Sequence, residues 1–369
     1  MKLAVKFSQP NQYKGGSGST FASNLIQALH KQHTDLKLFT ESPDLFSDIE
    51  GLSIHYAENP ILQKSSTRKI TSWLYQQAFL ENELVKHNID VLYCPYNNEA
   101  LLSTQRIPQV ITVHDLIPLR WQDDFKITAN LWKYLYIPTM RNAKAVITVS
   151  ENTKQDILKL CNISADKVFV ISNGFSSFTD IGDSGSSYID RPYILYVSSS
   201  HYPYKNLLKL FEAYHTIHLQ FPHQLVVVGK SVPRFTPQIK AKIAELGLEQ
   251  KILLLENLSN PELTRLYKGA DLFVYPSMYE GFGIPPLEAM FHGIPVVAAK
   301  AASIPEVCGQ AALYIQPDSV GSIADGIIKA LTDSELRQKL QLAGREQVKK
   351  FSWEQTANKI LEVCQMALR

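Results

Sequence analysis

Short runs of apolar residues alternate with stretches of helical periodicity along most of this chain. The helical stretches include Phe21–Lys31, Glu151–Leu160 and Asn206–His218. Strands that alternate with helices predict parallel sheets whose two faces are both covered by helices. The predicted strands form two series, the first Leu3–Phe7, Asp90–Tyr93, Gln109–Val113, Ala145–Val149 and Val168–Ile171, and the second Tyr193–Val197, Gln224–Val228, Ile252–Leu255, Asp271–Tyr275 and Ile294–Ala298.

A polar stretch near the middle of the chain separates the two series. Residues 175–191 read FSSFTDIGDSGSSYIDR, which is rich in Ser, Gly and Asp and typical of a linker. A length of 369 residues also exceeds that of one ordinary domain. We therefore predict an α/β protein with Rossmann-like domains over residues 1–175 and 190–350, followed by a helix over residues 351–369. The carboxyl ends of the strands of both domains are expected to face a shared cleft that binds the ligand.

Composition and charge argue against a nucleic-acid-binding, a secreted or a membrane-spanning protein. The formal net charge of +2 gives no general attraction to nucleic acid, so we expect no nucleic-acid partner. The four cysteines show no metal-binding spacing, and we interpret them as buried, reduced thiols of a cytoplasmic protein. The first residues resemble a short strand rather than a signal peptide, and no apolar run approaches the length of a membrane span.

The stretch from Asp271 to Pro317 carries the most information about chemistry. A buried strand over Leu272–Tyr275 leads into a loop, and a helix is predicted to begin at Ile284 or Pro285. Gly281 and Gly283 allow the backbone to approach a ligand closely. Free N–H groups at a helix start favour an anion such as a diphosphate.

Two carboxylates, Glu280 and Glu288, flank this turn. They would repel a diphosphate at the same place, but a carboxylate can accept two hydrogen bonds from a vicinal diol. One glutamate can therefore hold a ribose and the other a donor sugar. The alternative is that both glutamates only complement the helix N-terminus. The glycines and prolines in register between them favour the sugar-binding interpretation.

The segment Glu280-Gly-Phe-Gly-Ile-Pro-Pro-Leu-Glu288 resembles the signature of the retaining glycosyltransferase family 4, which has the GT-B fold of two Rossmann-like domains facing each other across a cleft. Gly293-Ile-Pro-Val-Val297 and Ile304-Pro-Glu-Val307 also match its usual run. The resemblance spans nearly the whole chain and is closest to the bacterial polysaccharide-assembly branch. It implies that the last helix returns to the N-terminal domain, and that the N-terminal domain binds the acceptor while the C-terminal domain binds the nucleotide sugar.

The resemblance also assigns roles to residues of this turn. It implies that Glu280 contacts the transferred sugar and that Glu288 binds the ribose. The backbone of the run between them is implied to meet the diphosphate and the sugar, which adds the donor-binding residues Gly281, Phe282, Gly283 and Ile284.

Two candidate sites lie in the N-terminal half. The loop Asn11–Thr20 carries glycines before a helix, but it matches neither a dinucleotide fingerprint nor a Walker loop, and alone it is only a loop. The resemblance implies that Gly15 and Gly16 lie near the donor phosphates and the acceptor. His114 follows the strand Gln109–Val113, where its imidazole could donate to a sugar hydroxyl or a phosphate, or be a structural histidine. The resemblance favours a catalytic-site role for His114.

Lys205 is the candidate cation for the diphosphate. By itself it would be read as a surface lysine at the start of a helix, but the family supplies a lysine to the diphosphate at the matching place. The family's arginine a few residues earlier corresponds here to Ser199. Arg234 or Lys230 could replace it, and this departure leaves the donor preference open.

No metal cofactor is expected, because the chain contains no Asp-x-Asp pair and a lysine, glycine amides and a helix N-terminus can carry the charge. The predicted function is transfer of a hexose, with retention, from a UDP-glucose-like donor to a saccharide or lipid-linked saccharide in polysaccharide synthesis. GDP-mannose is the alternative donor. Three different functions stay open: a nucleotide-sugar epimerase, a phosphorylase, for which no cofactor lysine is evident, and a non-catalytic nucleotide-sugar-binding subunit.

Two basic and aromatic stretches raise the question of peripheral contact with the inner membrane face. The first is Lys64–Phe79, with Arg68, Lys69, Trp73 and Tyr75. The second is Arg120–Tyr136, with Trp121, Lys126, Trp132, Lys133 and Tyr134. Such composition fits an interfacial helix. The alternative is that residues such as Ile70, Trp73, Leu74 and Leu84 pack onto the first sheet.

Overall fold

The computed structural model describes residues 1–7, 17–56, 77, 79–102, 104, 106–176 and 189–369, with the side chains of residues 17–20 left out. The chain divides into two compact units. The first unit comprises Met1–Gly174 and Ser352–Arg369, and the second comprises Phe175–Phe351.

A parallel sheet of seven strands forms the centre of the first unit, in the order β3-β2-β1-β4-β5-β6-β7. The central strands are buried along their whole length, as the apolar runs predict for a sheet covered on both faces. The strands are β1 Leu3–Phe7, β2 Leu36–Thr40, β3 Ser53–Tyr56, β4 Val91–Cys94, β5 Gln109–Val113, β6 Ala145–Thr148 and β7 Val168–Val170.

Helices follow most of these strands. Ser150 caps the helix after β6 by accepting a hydrogen bond from the backbone of Thr153 at 3.1 Å, which explains why that helix begins there. The helices are α1 Ser17–Gln32, α2 over residues 79–86, α3 Ile117–Arg120, α4 Lys126–Leu131, a π-helical turn Trp132–Tyr136, α5 Ile137–Asn142 and α6 Glu151–Cys161.

The last helix of the chain, α14 (Trp353–Met366), belongs to the first unit. Its buried face joins the cluster formed by α1 and the sheet, including Ile360 and Cys364. The hydroxyl of Thr356 donates to the carbonyl oxygen of Ser172 at 2.8 Å. The final segment is therefore part of the first core.

The second unit contains a parallel sheet of six strands in the order β10-β9-β8-β11-β12-β13. Strand order reverses between β8 and β11, and in such sheets ligands bind at the carboxyl ends beside this point. The strands are β8 Tyr193–Ser200, β9 Gln224–Lys230, β10 Ile252–Leu255, β11 Leu272–Tyr275, β12 Val296–Ala299 and β13 Ala312–Ile315.

The helices of the second unit alternate with these strands. Ser259 caps the helix after β10 in a capping box with Glu262. The helices are α7 Leu207–Ile217, α8 Thr236–Glu245, α9 Asn260–Gly269, α10 Ile284–Phe291, α11 Ile304–Cys308, α12 Val320–Thr332 and α13 Ser334–Val348.

The prediction of two Rossmann-like domains is confirmed by these two sheets. The four cysteines are free and buried, as the sequence predicted. Among the described residues, no helix is long and apolar enough to cross a membrane. Most of the predicted linker, residues 177–188, lies outside the described residues.

Candidate functional site

Lys205 lies at the reversal point of the second sheet, directly after β8. It ends a short 3-10 turn, Pro203–Lys205, and α7 begins only at Leu207, so the expectation that Lys205 starts the helix is wrong. Asn206 between them adopts a left-handed conformation, with φ of 65°. Lys205 is only 5% exposed, which also excludes a surface lysine.

Glu280 is the partner of this buried ammonium. The Nζ atom of Lys205 lies 2.7 Å from Oε1 and 2.8 Å from Oε2 of Glu280. The hydroxyl of Tyr275, the last residue of β11, donates to Oε1 at 2.6 Å. The structure thus brings together two predicted site residues, 75 positions apart in sequence, and a tyrosine that no sequence signal identified.

Hydrogen bonds to carbonyl oxygens hold the backbone around Glu280. The hydroxyl of Ser303 lies 2.9 Å from the carbonyl oxygens of both Glu280 and Phe282. The side-chain amide of Asn206 donates to the carbonyl oxygens of Pro276 and Pro317, at 3.1 and 2.6 Å. The bonds to Pro276, Glu280 and Phe282 fix the loop between β11 and α10 from two other segments of the same unit. The bond to Pro317 joins the segment after β13 to Asn206.

Gly283 immediately precedes α10 and has a left-handed backbone, with φ of 105°. Such a conformation strains any side chain. No heavy atom lies within 4 Å of the place where a Cβ would stand, so open space adjoins this buried backbone. The Phe282 side chain instead points inward and packs edge-to-face on Phe351, with ring centroids 5.5 Å apart. Only the backbone of Phe282 is therefore suited to binding a ligand.

The start of α10 offers fewer hydrogen-bond donors than an ordinary helix. The first four N–H groups of a helix have no partner within it, but two of these positions are Pro285 and Pro286, which have no N–H. The N–H groups of Gly283 and Ile284 remain. An anion at this helix start therefore depends more on a nearby cation such as Lys205.

Glu288 lies one turn into α10 and is paired with a second tyrosine. The hydroxyl of Tyr267, from α9, donates to Oε2 of Glu288 at 2.6 Å. Burial raises the pKa of Glu288 above its ordinary value, and the hydrogen bond from Tyr267 opposes that rise. Tyr267 also stacks on His292, with ring centroids 5.5 Å apart, so its hydroxyl is held in place.

The position of the family's arginine is occupied by an exposed serine, Ser199, near the end of β8. The two suggested replacements lie at the end of the neighbouring strand β9 and in the loop after it. Lys230 is exposed at its end, and the Arg234 guanidinium sits 5.1 Å over the Phe235 ring. Their part in binding the diphosphate stays a prediction.

His114 lies in the first unit, one residue after β5. Its Nε2 atom is 2.9 Å from the carbonyl oxygen of Pro95, and burial lowers the pKa of His114 to about 4. Because a carbonyl can only accept, Nε2 carries the proton of the neutral ring and Nδ1 is left as an acceptor. In this neutral form the imidazole can accept from a sugar hydroxyl through Nδ1, and the role of His114 at the site stays a prediction.

Gly281, another predicted donor-binding residue, is buried in the loop between β11 and α10. The last two predicted site residues, Gly15 and Gly16, lie outside the described residues. In the described part of the chain, no group of three or more His, Cys, Asp or Glu side chains is placed to hold a metal ion.

The sequence matches two family models that together cover both units. The model "Glycosyltransferase Family 4" matches residues 15–177, and the model "Glycosyl transferases group 1" matches residues 181–347. The O-antigen chain mannosyltransferase RfbU of Salmonella typhimurium is 30% identical over 293 residues, which are 77% of this chain and 78% of RfbU. The chain belongs to glycosyltransferase family 4.

Two further similarities support this assignment. The O-antigen chain mannosyltransferase B of Escherichia coli is 31% identical over 234 residues, which are 58% of this chain and 59% of that protein. The chain thus matches less than two thirds of that relative. The structure of sucrose-phosphate synthase from Thermosynechococcus elongatus superposes with a TM-score of 0.76 at 19% identity, covering 99% of this chain and 98% of the synthase. The predicted GT-B fold is confirmed.

The lowered pKa of the partly buried His114 generates a prediction about pH. The unfolded chain takes up a proton at the ordinary pKa of 6.5, whereas the folded chain does so only near 4, so acid lowers stability within this window. Replacing His114 by Gln should reduce the loss of unfolding free energy between pH 7 and pH 4 by up to about 3 kcal/mol, at about 1.36 kcal/mol per pKa unit.

Urea unfolding at the two pH values measures this loss. The control is His215→Gln at an exposed position of α7, which should leave the pH dependence of wild type unchanged. An equal loss in wild type and His114→Gln would contradict the assignment of a buried neutral ring.

Proposed function

We propose that this chain is a retaining mannosyltransferase that uses GDP-mannose and acts in polysaccharide assembly. The observation that carries the proposal is the buried Lys205–Glu280–Tyr275 network in the loop that leads to Gly283, where open space adjoins the start of α10. The sequence alone favours a UDP-glucose-like donor. The relatives from Salmonella typhimurium and Escherichia coli described above are both mannosyltransferases, so the proposed donor is GDP-mannose.

Lys205 is proposed to stabilise the leaving diphosphate. Breaking the bond between sugar and phosphate leaves negative charge on the phosphate oxygens, and a fixed cation away from water stabilises that charge strongly. The N–H groups of Gly283 and Ile284 would add the neutral donors. With one cation, two amides and the helix dipole, transfer is proposed to need no metal ion.

Glu280 is proposed to bind the transferred sugar without attacking it. Both of its oxygens accept from Lys205, and Oε1 also accepts from Tyr275. A carboxylate held by this many donors is a poor nucleophile, which supports attack by the acceptor on the same face as the leaving group. The leaving phosphate would then help to deprotonate the acceptor hydroxyl.

The other proposed roles are divided between residues of the second unit and residues of the first. Glu288 is proposed to bind the ribose diol through the oxygen that Tyr267 does not occupy. The first unit is proposed to bind the acceptor, a saccharide or lipid-linked saccharide, with Nδ1 of His114 accepting from a sugar hydroxyl. Gly15 and Gly16 are proposed to lie near the donor phosphates. An epimerase or a non-catalytic binding subunit would not need an acceptor, which separates both of them from a transferase.

Donor binding and turnover should respond differently to loss of the two glutamates. A hydrogen bond to a charged group contributes about 1.5–3 kcal/mol, or roughly 10- to 100-fold. Glu288→Gln should weaken GDP-mannose binding by this factor, whereas Glu280→Gln should lower turnover and should weaken binding of GDP-mannose but not of GDP. Thermal shift with GDP-mannose, UDP-glucose and UDP measures binding, because a ligand stabilises the folded state that it binds, and release of GDP measures turnover.

The matched control is Glu346→Gln, at a 69% exposed carboxylate on α13, which should behave as wild type. Turnover is measured with and without EDTA and should not change. A larger thermal shift with UDP-glucose than with GDP-mannose would refute the donor assignment. Turnover that stops in EDTA and returns with Mg²⁺ would refute the metal-free mechanism.

Contact with a membrane surface is proposed for the helical segment of the first unit that begins at α4. Ile127, Leu131 and Tyr134 share one helical face and are 80%, 37% and 75% exposed. Lys126 and Lys133 are adjacent to these residues in sequence and exposed, so their positive charges would attract anionic lipid headgroups.

The sequence predictions for membrane contact hold only in part. Trp132, predicted to be a contact residue, is buried at 4% exposure. Arg68, Lys69, Trp73 and Tyr75 of the first basic and aromatic stretch lie outside the described residues.

Co-sedimentation with vesicles that contain anionic phospholipid tests this surface. Wild type should bind at low salt and less at high salt, and the double variant Ile127→Asp with Tyr134→Asp should lower the bound fraction several-fold. The control is Leu219→Asp, at an 86% exposed apolar residue of the second unit, which should bind as wild type. Absence of binding at low salt, or equal binding by the double variant, would contradict membrane contact.

A further inference from the structure

Each of the two site carboxylates accepts a hydrogen bond from a buried tyrosine. The hydroxyl of Tyr275 lies 2.6 Å from Oε1 of Glu280, and the hydroxyl of Tyr267 lies 2.6 Å from Oε2 of Glu288. Both tyrosines are 1% exposed. Burial raises the pKa of both phenols well above the ordinary value, so they stay protonated and donate.

The two phenols occupy one side of each carboxylate. A carboxylate oxygen has two lone-pair positions. On Glu280, Oε1 accepts from both Lys205 and Tyr275, while Oε2 accepts only from Lys205 among the described residues. On Glu288, Oε2 accepts from Tyr267, and Oε1 has no partner within the described part of the chain. Each glutamate therefore has one oxygen that can still accept a hydrogen bond from a ligand hydroxyl.

The rings that carry these phenols are held firmly. Tyr275 packs against both Tyr196 and Phe273 in near-parallel arrangements, with ring centroids 6.1 and 5.9 Å away. Tyr267 stacks on His292 at an interplanar angle of 12° and packs near Phe273, 5.9 Å away. Each hydroxyl is thus a fixed point, and a hydrogen bond from a fixed donor restricts the orientation of a carboxylate.

We propose that Tyr275 and Tyr267 are positioning residues that orient Glu280 toward the donor sugar and Glu288 toward the donor ribose. The proposal rests on the proposed function of the site. Neither tyrosine touches the substrate, and each acts through its glutamate. The consequence is that loss of either hydroxyl affects a different part of the same donor molecule.

Binding of GDP and of GDP-mannose to the purified full chain separates the two effects, because GDP has the ribose but lacks the sugar. Tyr267→Phe should weaken both ligands about tenfold and leave the ratio of their dissociation constants unchanged. Tyr275→Phe should leave the dissociation constant of GDP within about twofold of wild type. It should raise the dissociation constant of GDP-mannose about tenfold relative to that of GDP. It should also lower the rate of GDP release at saturating donor, whereas Tyr267→Phe should not.

A matched control removes a buried phenol hydrogen bond elsewhere in the same unit. The hydroxyl of Tyr214 donates to the carbonyl oxygen of His223 at 2.8 Å. Tyr214→Phe therefore has a comparable effect on packing, and it should bind both ligands as wild type does. Thermal unfolding verifies that each variant is folded. If one of the two site variants does not fold, the other still tests the proposal, because the change expected in its two dissociation constants differs from that of the control.

The outcomes distinguish this proposal from the proposed function. If the wild-type protein binds neither GDP nor GDP-mannose, the proposed donor is refuted. The same variants are then measured with UDP and UDP-glucose, for which Tyr267→Phe and Tyr275→Phe should show the same two patterns of binding. If the wild-type protein binds both ligands and neither Tyr267→Phe nor Tyr275→Phe changes the dissociation constants, the positioning roles are refuted. Equal weakening of both ligands by all three variants, Tyr214→Phe included, also refutes them, because it indicates a general loss of structure.

Discussion

The buried ion pair between Lys205 and Glu280 is the interaction on which the candidate site depends. Removing an ammonium and a carboxylate from water costs several kcal/mol for each ion, and only their close contact, with 2.7 and 2.8 Å separations, offsets that cost. The pair joins the turn after β8 to the loop before α10. It also keeps a positive charge where the prolines of α10 leave few N–H donors for an anion.

Much of this fold follows directly from the sequence. The strands β1, β5 and β10 have the predicted bounds, because short segments of four or five mostly apolar residues between polar stretches are typical of buried strands in an alternating strand and helix pattern. The spacing of Glu280 and Glu288 with the glycines between them located the turn before α10. The family was identified from the same run of residues, because its glycines and prolines must occupy fixed places in that turn.

Several features could not be predicted because they depend on contacts between distant segments. Strand β3, with the sequence Ser-Ile-His-Tyr, is short and polar at the sheet edge, and no apolar run marks it. Nothing local distinguishes Tyr275 from its buried neighbour Phe273, since the role of its hydroxyl arises only when Glu280 folds back. Lys205 resembled a surface lysine, because its burial requires a carboxylate 75 residues away. The position of the proton on the neutral His114 ring depends on one carbonyl oxygen, that of Pro95, which is distant in sequence.

A double-mutant cycle on Lys205 and Glu280 tests most directly whether this pair holds the site together. Urea unfolding of wild type, Lys205→Met, Glu280→Gln and the double variant gives the coupling free energy, with the exposed pair Lys349–Glu346 as the control. We predict that Lys205→Met lowers the free energy of unfolding by about 3–5 kcal/mol, because it leaves a buried carboxylate without its cation. The double variant should recover much of this loss. The coupling at the exposed pair should stay below about 1 kcal/mol. Additive effects at Lys205 and Glu280 would contradict a structural dependence of the site on this pair.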